Sequence, residues 1–408
     1  MKKLFTIPIR VIGLCVLFTL MACSDAPEKD SSAEPIKIGG IFSLSGAPHL
    51  VEHAVYGAQM AFAEANKNGG VNGRPLELLV RDDRGSSGDG VQVAQSLHMR
   101  EGVTALLGLN FSHVALALSS YSKQHEIVFI GGYGANNDLT WKDGHPYTFI
   151  LEEAPAISVQ AFARHAANTE KKRWAIVATN VTWGKSIAAA FKENLKSLNP
   201  EAEIAYEHYP AIKKLDAGAV AQALRFHDAE GVLSVLFGSD LAAFIRQVKQ
   251  RGLADLTHIS TMVGVPEEAD FLGAEVPEGW FSYGFAAEQY DYPPYQEFAQ
   301  RFQKRYDQHP RMNGMWGYVS AKFLIEGLRK SPSLSSDDIA KTLEGLEIST
   351  PVGAAKLREV DHRSTIGYWH GTVKHIDGKA RLTNTEQNNV NALSPSDEWI
   401  KQQRQQNR

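Results

Sequence analysis

The stretch Ile36-Lys37-Ile38-Gly39-Gly40-Ile41-Phe42 decides the fold, because a short apolar run is followed there by an amphipathic stretch at 56–66. Short apolar runs between loops are typical of buried strands, and apolar residues three and four apart are typical of helices. The alternation continues with apolar runs at 76–80, 105–107 and 128–130 and amphipathic stretches at 91–99 and 114–123. It predicts a βαβα order, hence an open parallel sheet covered by helices that takes ligands at the carboxyl ends of its strands.

A second series of the same kind follows, which predicts a second sheet of the same type. Its strands are expected at 174–178, 204–209, 232–237 and 258–261, and its helices at 186–198, 220–226 and 241–251. Three further helices are expected at 295–306, 318–328 and 337–343, before a late strand at 368–376. The polar residues from Asn384 onward predict a frayed tail.

Size and composition agree with two domains. The chain has 408 residues, of which 43% are hydrophobic, so it is too long for one core and apolar enough to build two. Its two cysteines, Cys15 and Cys23, both lie near the start, so the body contains no disulfide. Removing the first 22 residues changes the formal charge from −4 to −7, which argues against nucleic acid as a partner.

The first 22 residues have the pattern of a secretory signal peptide: Lys2, Lys3 and Arg10 precede about ten apolar residues, fewer than the roughly 20 that span a bilayer. The ending Leu20-Met21-Ala22-Cys23 resembles bacterial lipoprotein leaders, which implies that Cys23 is acylated. Residues 23–35 then form a lipidated tether, and the protein works outside the cytoplasm on the membrane. The alternative is a transmembrane anchor followed by an ordinary buried cysteine.

Several short motifs keep the order and spacing of one family. They are Ile36-Lys37-Ile38-Gly39-Gly40, Ser43-Leu44-Ser45-Gly46, the GGVNGR of 69–74, Asp82-Asp83, Gly108 with Ser112, the IGGYGANNDLT of 130–140, Trp183-Gly184, the FIRQ of 244–247 with Gly252, and Asp361-His362. Together, over residues 36–377, the chain resembles type I periplasmic binding proteins of the branched-chain amino acid (Leu/Ile/Val) receptor family, the substrate-binding proteins of ABC transporters.

The resemblance implies an α/β fold of two Rossmann-like lobes with parallel sheets, joined by three hinge crossovers near 149–153, 283–287 and 366–369. Lobe I would comprise 36–150 and 286–366, lobe II would comprise 151–285 and 367–395, and a tail would follow at 396–408. A small solute would be captured by hinge closure, which an ABC permease then recognises. We expect the protein to act as a monomer.

The resemblance also implies where the ligand binds. Ser112 follows a strand at the start of a helix, where its hydroxyl and the first-turn N–H groups can bind an anion, and in the family this serine holds the ligand carboxylate. The alternative role for Ser112 is a helix N-cap. The neighbouring Phe111 could face either the core or the cleft.

Other family positions differ in this chain. In the loop 131–136, which includes Gly134, a threonine that binds amino acids is replaced by Ala135, and a small residue by Tyr133. The carboxylate that neutralises the ligand ammonium aligns with Met262. A buried ammonium without a counter-charge is costly, so these differences argue against a free α-amino acid. Asp240 remains as an acidic candidate, with helix capping as its alternative role.

Aromatic residues are the candidates for an apolar wall. Trp183 occupies the position where the family stacks an aromatic ring on the ligand, while Trp316 and Phe237 are further candidates beside Tyr133. His49 lies in the first βα loop, which lines the cleft in the family, so a polar contact from it is expected.

Enzymatic and metal functions are set aside. The HxxEH spacing of His49, Glu52 and His53 could present two imidazoles to zinc, but a protease would need a third ligand and a helical setting. Gly184-Lys185-Ser186 lacks the first glycine of a phosphate-binding loop, since Thr179 occupies that position. We therefore predict no catalytic residues, no metal and no cofactor.

The leading hypothesis is a lipid-anchored receptor of an ABC importer for a small organic ligand that is amino-acid-like, with a carboxylate or amide end and an apolar or aromatic body. The alternative is a regulatory or sensor lipoprotein with the same fold, such as a cell-wall enzyme activator or an amide sensor. Ser24 after Cys23 favours the alternative, because it resembles an outer-membrane sorting signal.

Overall fold

Two large β-sheets and a two-stranded antiparallel sheet, β11-β12, are present in the computed structural model, which describes residues 34–406. The strands are β1 (Ile36–Phe42), β2 (Leu76–Asp82), β3 (Ala105–Leu109), β4 (Phe129–Gly131), β5 (Thr148–Ile150), β6 (Arg173–Ala178), β7 (Glu203–His208), β8 (Gly231–Val235), β9 (Thr257–Gly264), β10 (Phe281–Gly284), β11 (Glu347–Thr350), β12 (Gly353–Lys356), β13 (Trp369–Ile376) and β14 (Lys379–Gln387). The helices are α1 (Pro48–Lys67), α2 (Ser87–Met99), α3 (Ser112–His125), α4 (Pro155–Ser158), α5 (Gln160–Asn168), α6 (Thr182–Leu198), α7 (Ala217–Phe226), α8 (Gly238–Gln250), α9 (Pro266–Leu272), α10 (Pro293–Tyr306), α11 (Met312–Lys330), α12 (Ser336–Leu343), α13 (Val390–Leu393) and α14 (Asp397–Gln405).

The first sheet, with its helices, forms lobe I. Its five strands are all parallel and follow the order β2-β1-β3-β4-β5. The second sheet, which forms lobe II, follows the order β14-β13-β10-β9-β8-β6-β7. Its strands from β10 to β7 are parallel, as predicted, whereas β13 and β14 add an antiparallel edge. The predicted α/β architecture with parallel sheets is therefore confirmed, with this edge as an addition.

Small residues allow two helices of lobe I to pack closely. A Cβ atom added to Gly57 of α1 would lie 1.9 Å from the Gly314 carbonyl oxygen, and one added to Gly317 of α11 would lie 2.0 Å from that of Ala54. Both distances are far below van der Waals contact, so glycine is required at these positions. The close packing of α1 on α11 brings the first helix of the chain next to the late helices of lobe I.

Three crossovers link the lobes: they follow β5, β10 and β12. The first and third lie side by side, because the Ile150 N–H donates to the His362 carbonyl at 3.0 Å and the Ser364 N–H donates to the Ile150 carbonyl at 2.9 Å. Five residues within the predicted crossover ranges belong instead to the strands β5, β10 and β13: Phe149, Ile150, Tyr283, Gly284 and Trp369. The second crossover therefore begins after Gly284, the last residue of β10.

The guanidinium of Arg363, in the third crossover, is fully buried and ties several segments together. Its Nε donates to the Thr140 hydroxyl at 2.7 Å, and its Nη1 donates to the Glu152 carbonyl at 2.6 Å. Its Nη2 donates to the carbonyls of Gly134 and Asn136, at 3.1 and 2.7 Å. A buried cation is tolerated only when its donors are satisfied, and here the loop after β4 and the first crossover supply the acceptors.

The prediction of a frayed tail from Asn384 is wrong. Strand β14 continues to Gln387, and α14 packs back on lobe I with Ile400 fully buried. The guanidinium of Arg404 donates to the Thr140 carbonyl at 3.0 and 2.8 Å. The sequence of these elements is polar because each buries only one face.

The leader at 1–22, Cys23 and all but two residues of the predicted tether 23–35 lie outside the described residues. Within residues 34–406, no helix combines the length and the apolar character needed to cross a bilayer.

Replacing Arg363 by methionine removes the donors but leaves the buried acceptors. We expect Arg363→Met to lower the free energy of unfolding by at least about 3 kcal/mol, because each unsatisfied buried acceptor costs about 1–3 kcal/mol. Urea unfolding should show a lower midpoint with an unchanged slope. The control Arg100→Met, at an exposed position, should stay within about 0.5 kcal/mol of the wild type. Equal effects of both variants would contradict the role given to Arg363.

Candidate ligand-binding site

A cavity of about 90 Å³ lies between the two lobes. Lobe I contributes Leu50, Asn110, Phe111, Ser112, His113, Tyr133 and Met312; lobe II contributes Val181, Trp183, Ile212, Phe237, Met262, Val265 and Tyr283; and the crossovers contribute Glu152 and Tyr368. Most of these side chains are apolar or aromatic, and a few polar groups lie among them. This is the usual composition of a small-molecule site.

Ser112 is the first residue of α3, and Phe111 occupies the N-cap position without a side-chain cap. The role of Ser112 as a helix N-cap, considered above, therefore does not apply. Its Oγ accepts a hydrogen bond from the Ala135 N–H at 3.2 Å, and a hydroxyl that accepts can still donate its own hydrogen. The first turn of α3 thus presents a hydroxyl and backbone N–H groups at the cavity, which is the arrangement that binds anions.

An aromatic wall crosses from one lobe to the other. The rings of Phe111 in lobe I and Phe237 in lobe II lie 6.1 Å apart between centroids, and Trp183 packs edge-on against Phe237 at the same distance. Trp316, which the sequence offered as a further wall residue, does not line the cavity. It is buried in α11 and packs edge-on against Tyr368 at 6.0 Å.

Glu152, Tyr283 and Tyr368 line the cavity but were not predicted as site residues. The two tyrosine rings stack at 4.5 Å with an interplanar angle of 4°. The Tyr368 hydroxyl donates to Glu152 Oε1 at 2.9 Å, and the Gly134 N–H donates to Oε2 at 2.6 Å. Burial raises the pKa of Glu152, although these two hydrogen bonds and the charge of Arg363 oppose the effect. All three residues lie within segments predicted as crossovers. Crossovers run beside the cleft between the lobes, so their polar and aromatic residues could have been predicted to line it.

In the loop after β4, one residue lines the cavity and the next two hydrogen-bond to residues that line it. The Tyr133 ring lines the cavity, and its hydroxyl donates to the Asn313 Oδ1. Gly134 and Ala135, predicted as ligand-binding, are not among the lining residues. Their N–H groups are used within the protein, by Glu152 and Ser112 respectively, so both residues position the site without lining it.

The two positions considered for an acidic contact also differ. Met262 lines the cavity with an apolar side chain, as its sequence position suggested. Asp240, the remaining acidic candidate, is not among the lining residues. The carboxylate accepts from the N–H groups of Lys213 and Leu215, at 2.7 and 3.3 Å, and so fixes the loop that carries the lining residue Ile212.

His49 contacts the opposite lobe rather than the cavity. Its Nε2 lies 3.0 Å from Oε2 of the buried Glu268 in α9, and its ring stacks on Phe271 at 4.6 Å. Beside it, the Asn313 N–H of lobe I donates to Glu267 Oε1 at 2.6 Å. We call these five residues the seam. Burial raises the pKa of Glu267 to about 7.

The side chains of the HxxEH motif have separate partners. Glu52 accepts from the Tyr56 hydroxyl at 2.6 Å, and His53 Nε2 lies 3.0 Å from Gln308 Oε1. Burial and the nearby Arg311 lower the pKa of His53 to about 4. Among the described residues, no group of three or more His, Cys, Asp or Glu side chains is arranged to hold a metal ion.

A cavity enclosed between two α/β lobes that are linked by three crossovers defines a two-lobed solute-binding protein. Residues 35–380 match the periplasmic binding protein family, and the chain belongs to this family. The family consists of binding proteins that take small molecules outside the cytoplasm for ABC transporters, so the predicted family and general function are confirmed.

Relatives and solved structures agree. The Leu/Ile/Val-binding protein homolog 7 of Brucella suis is 23% identical over 328 residues, which cover 77% of this chain and 82% of that protein. A solute binding protein of an ABC transporter from Rhodopseudomonas palustris, in complex with 3,4-dihydroxybenzoic acid, has a TM-score of 0.76 at 19% identity, covering 87% of this chain and 98% of that one. The leucine-, isoleucine-, valine-, threonine- and alanine-binding protein of Brucella ovis, in a closed conformation, has a TM-score of 0.77 at 18% identity, covering 89% and 97%. These two structural likenesses support the fold.

Because His49 contacts the opposite lobe, its replacement should change the distance between the lobes. We expect His49→Ala to shift the protein toward open forms, because it removes the contact to Glu268 and the stacking on Phe271. Dyes on cysteines introduced at the exposed positions Lys67 and Ser197, with Cys15 and Cys23 replaced by Ser, should then show lower energy transfer between the lobes. His125→Ala, on α3 and outside the seam, is the control. An unchanged transfer efficiency in His49→Ala would show that the seam does not hold the lobes together.

Proposed function

We propose that this protein is a lipid-anchored receptor that captures a small aromatic carboxylate between its lobes and delivers it to an ABC importer. One observation carries the proposal: an aromatic cavity has an anion-binding helix start at Ser112 and a buried carboxyl group at Glu152. The anchor rests on the leader sequence and Cys23. Mass spectrometry of the membrane-bound protein should find acylated Cys23 at its N-terminus, and an unmodified cysteine there would rule the anchor out.

The carboxylate end of the ligand is assigned to the first turn of α3. Ser112 and His113, the first two residues of the helix, line the cavity, and the positive end of the helix dipole favours an anion there. Among the sixteen lining residues, none is a lysine or arginine. The lining side chains of His113 and Asn110 use their N–H groups within the protein, on Gly85, Ile41 and Asp83. We therefore assign the negative charge to backbone and hydroxyl donors.

The body of the ligand is assigned to the aromatic wall. Six lining residues are aromatic rings of Phe, Tyr or Trp: Phe111, Tyr133, Trp183, Phe237, Tyr283 and Tyr368. Flat rings enclose a planar ligand with large contact area and favourable stacking geometry. Because Phe111 and Phe237 come from different lobes and contact each other, a ligand ring packed against this pair would contact both lobes and favour closure.

Glu152 is assigned to a hydrogen-bond donor at the far end of the ligand, such as a phenolic hydroxyl. Its two oxygens each accept one hydrogen bond within the protein, and each has a second lone pair. An α-amino acid would need Glu152 to be charged in order to neutralise its ammonium. Burial raises the pKa of Glu152 and so makes its charged form more costly, whereas a hydroxyl donor does not require that charge. The ligand of the Rhodopseudomonas palustris protein has this combination of a carboxylate and ring hydroxyls.

The decisive experiment is a thermal-shift and calorimetric screen of the purified protein with 4-hydroxybenzoate, 3,4-dihydroxybenzoate, benzoate and leucine. We expect the hydroxybenzoates to bind, with a stabilisation of about 2.7 kcal/mol at 100 times the dissociation constant, and benzoate to bind more weakly. Binding of leucine alone would replace the proposal with a branched-chain amino acid receptor. No binding by any of them, or by amides, would favour the regulatory or sensor lipoprotein, whose cleft need not take a solute.

The proposed position of the carboxylate predicts how the substitution Ser112→Ala changes ligand affinity. Ser112→Ala should weaken binding of the hydroxybenzoate by at least about tenfold, because a hydrogen bond to a charged group contributes about 1.5–3 kcal/mol. Ser120→Ala on the same helix is the control, because the Ser120 hydroxyl bonds to the Leu116 carbonyl at an exposed position. If both variants bind as the wild type does, the carboxylate does not lie at Ser112.

A further inference from the structure

Two consecutive carboxyl groups, Glu152 and Glu153, are buried in the first crossover. Glu153 points away from the ligand cavity toward Asn388, whose Nδ2 donates to Glu153 Oε1 at 2.8 Å. The other oxygen of each group, Glu153 Oε2 and Asn388 Oδ1, is buried without a hydrogen-bond partner among the described residues. Two hydrogen-bond acceptors therefore remain unpaired in two groups that already contact each other.

A proton on Glu153 would satisfy both atoms. A protonated carboxyl has one O–H donor, so Oε2 can donate to Asn388 Oδ1 while Oε1 accepts from Nδ2. Exchanging the Asn388 Oδ1 and Nδ2 atoms does not remove the need for this proton. The amide oxygen would then face Glu153 Oε1, and two acceptors would still lie opposite each other. Without the proton, buried acceptors stay unsatisfied, and native proteins rarely tolerate this.

The surroundings favour the neutral acid. Burial raises the pKa of Glu153 to about 8, and the neighbouring Glu152 adds to this effect. The Asn388 amide, the Tyr368 N–H and the charge of Arg363 act in the opposite direction. On the far side lies His370: burial lowers the pKa of that imidazole, while its interaction with the Asn388 side chain acts in the opposite direction.

The pair joins the first crossover to the segment that follows β14 in the sheet of lobe II. Glu153 belongs to the first crossover, while the Asn388 N–H donates at 2.9 Å to the carbonyl of Tyr368 at the end of the third crossover. We propose that Glu153 keeps its proton in the folded protein, and that the resulting acid–amide pair with Asn388 fixes the first crossover to the third. Loss of this proton in alkaline solution then loosens the hinge and weakens ligand capture, a consequence that rests on the proposed function.

The pH dependence has a definite sign. The pKa of Glu153 is about 8 in the folded protein and lies above the ordinary value of 4.5. Its contribution to stability is complete below the ordinary value and is lost as the pH rises through about 8. For one proton, the unfolding equilibrium constant rises by up to about tenfold per pH unit within this window. Glu267 contributes in the same direction, so the effect of Glu153 must be isolated by a variant.

Glu153→Gln is that variant, because its side-chain amide donates to Asn388 Oδ1 at every pH. In urea unfolding of the whole protein, we expect the wild type to lose more stability between pH 6 and pH 9 than Glu153→Gln does. Glu193→Gln, at an exposed position on α6, should behave as the wild type. An equal loss in wild type and Glu153→Gln would overturn the proposal.

Infrared spectroscopy tests the proton directly. The difference spectrum between wild type and Glu153→Gln at pH 6 should contain the carbonyl stretch of a protonated carboxylic acid, which should disappear at pH 10. Absence of this band at pH 6 would refute the proposal even if both proteins fold equally well.

The hinge role is tested with 4-hydroxybenzoate as the probe. Its affinity for the wild type should fall between pH 7 and pH 9 by more than its affinity for Glu153→Gln. Parallel affinity profiles together with a positive infrared result would leave the proton in place but reject its control of capture. If the wild type does not bind 4-hydroxybenzoate at all, the proposed function fails, whereas the urea and infrared results still decide whether Glu153 holds a proton.

Discussion

The buried guanidinium of Arg363 is the interaction on which the rest of the site depends. A guanidinium cannot lose its proton to relieve the cost of burial, so the protein has to surround it with acceptors. Those acceptors are carbonyl and hydroxyl oxygens of the loop 134–140 and of the first crossover. The loop after β4 and two of the three crossovers are therefore held in one arrangement by a single side chain.

Backbone groups of the loop after β4 connect Arg363 to the residues that line the cavity. The carbonyl of Gly134 accepts from Arg363, and its N–H donates to the carboxyl group of Glu152. One residue later, the Ala135 N–H donates to the hydroxyl of Ser112. Ser112 and Glu152 are thus both oriented by the same short loop. Groups fixed before the ligand arrives need little further ordering on binding, which favours affinity and selectivity.

Much of the fold could be predicted from the sequence, because buried parallel strands and amphipathic helices leave clear periodic patterns. The strand β14 and the helix α14 were missed, since elements that bury one face read as polar segments. In the site, Ser112, Phe111, Tyr133, Trp183 and Met262 follow strand ends or lie at them, and all five line the cavity.

The roles of the remaining site residues depend on contacts between segments that are distant in the sequence, so they could not be predicted from it. Asp240 is near a strand end as well, but a loop from elsewhere in lobe II occupies its carboxylate. His49 pairs with a carboxylate 219 residues away, a contact between lobes that no local pattern encodes. Glu152 and Tyr368 lie in crossovers, which have no periodicity, so their side-chain directions could not be read from the sequence.

Selectivity in such a cavity depends more on its few polar groups than on its aromatic walls. An apolar pocket rejects an analogue that differs by one small group only weakly, whereas a site that hydrogen-bonds a hydroxyl rejects the analogue that lacks it strongly, because its own polar group is left unpaired. Glu152 can act in this way only if its carboxyl group is held in place. The Gly134 N–H and the Tyr368 hydroxyl hold it, while Arg363 fixes the backbone carbonyls of Gly134 and Glu152, so the buried cation that organises the fold also supports the polar group on which selectivity depends.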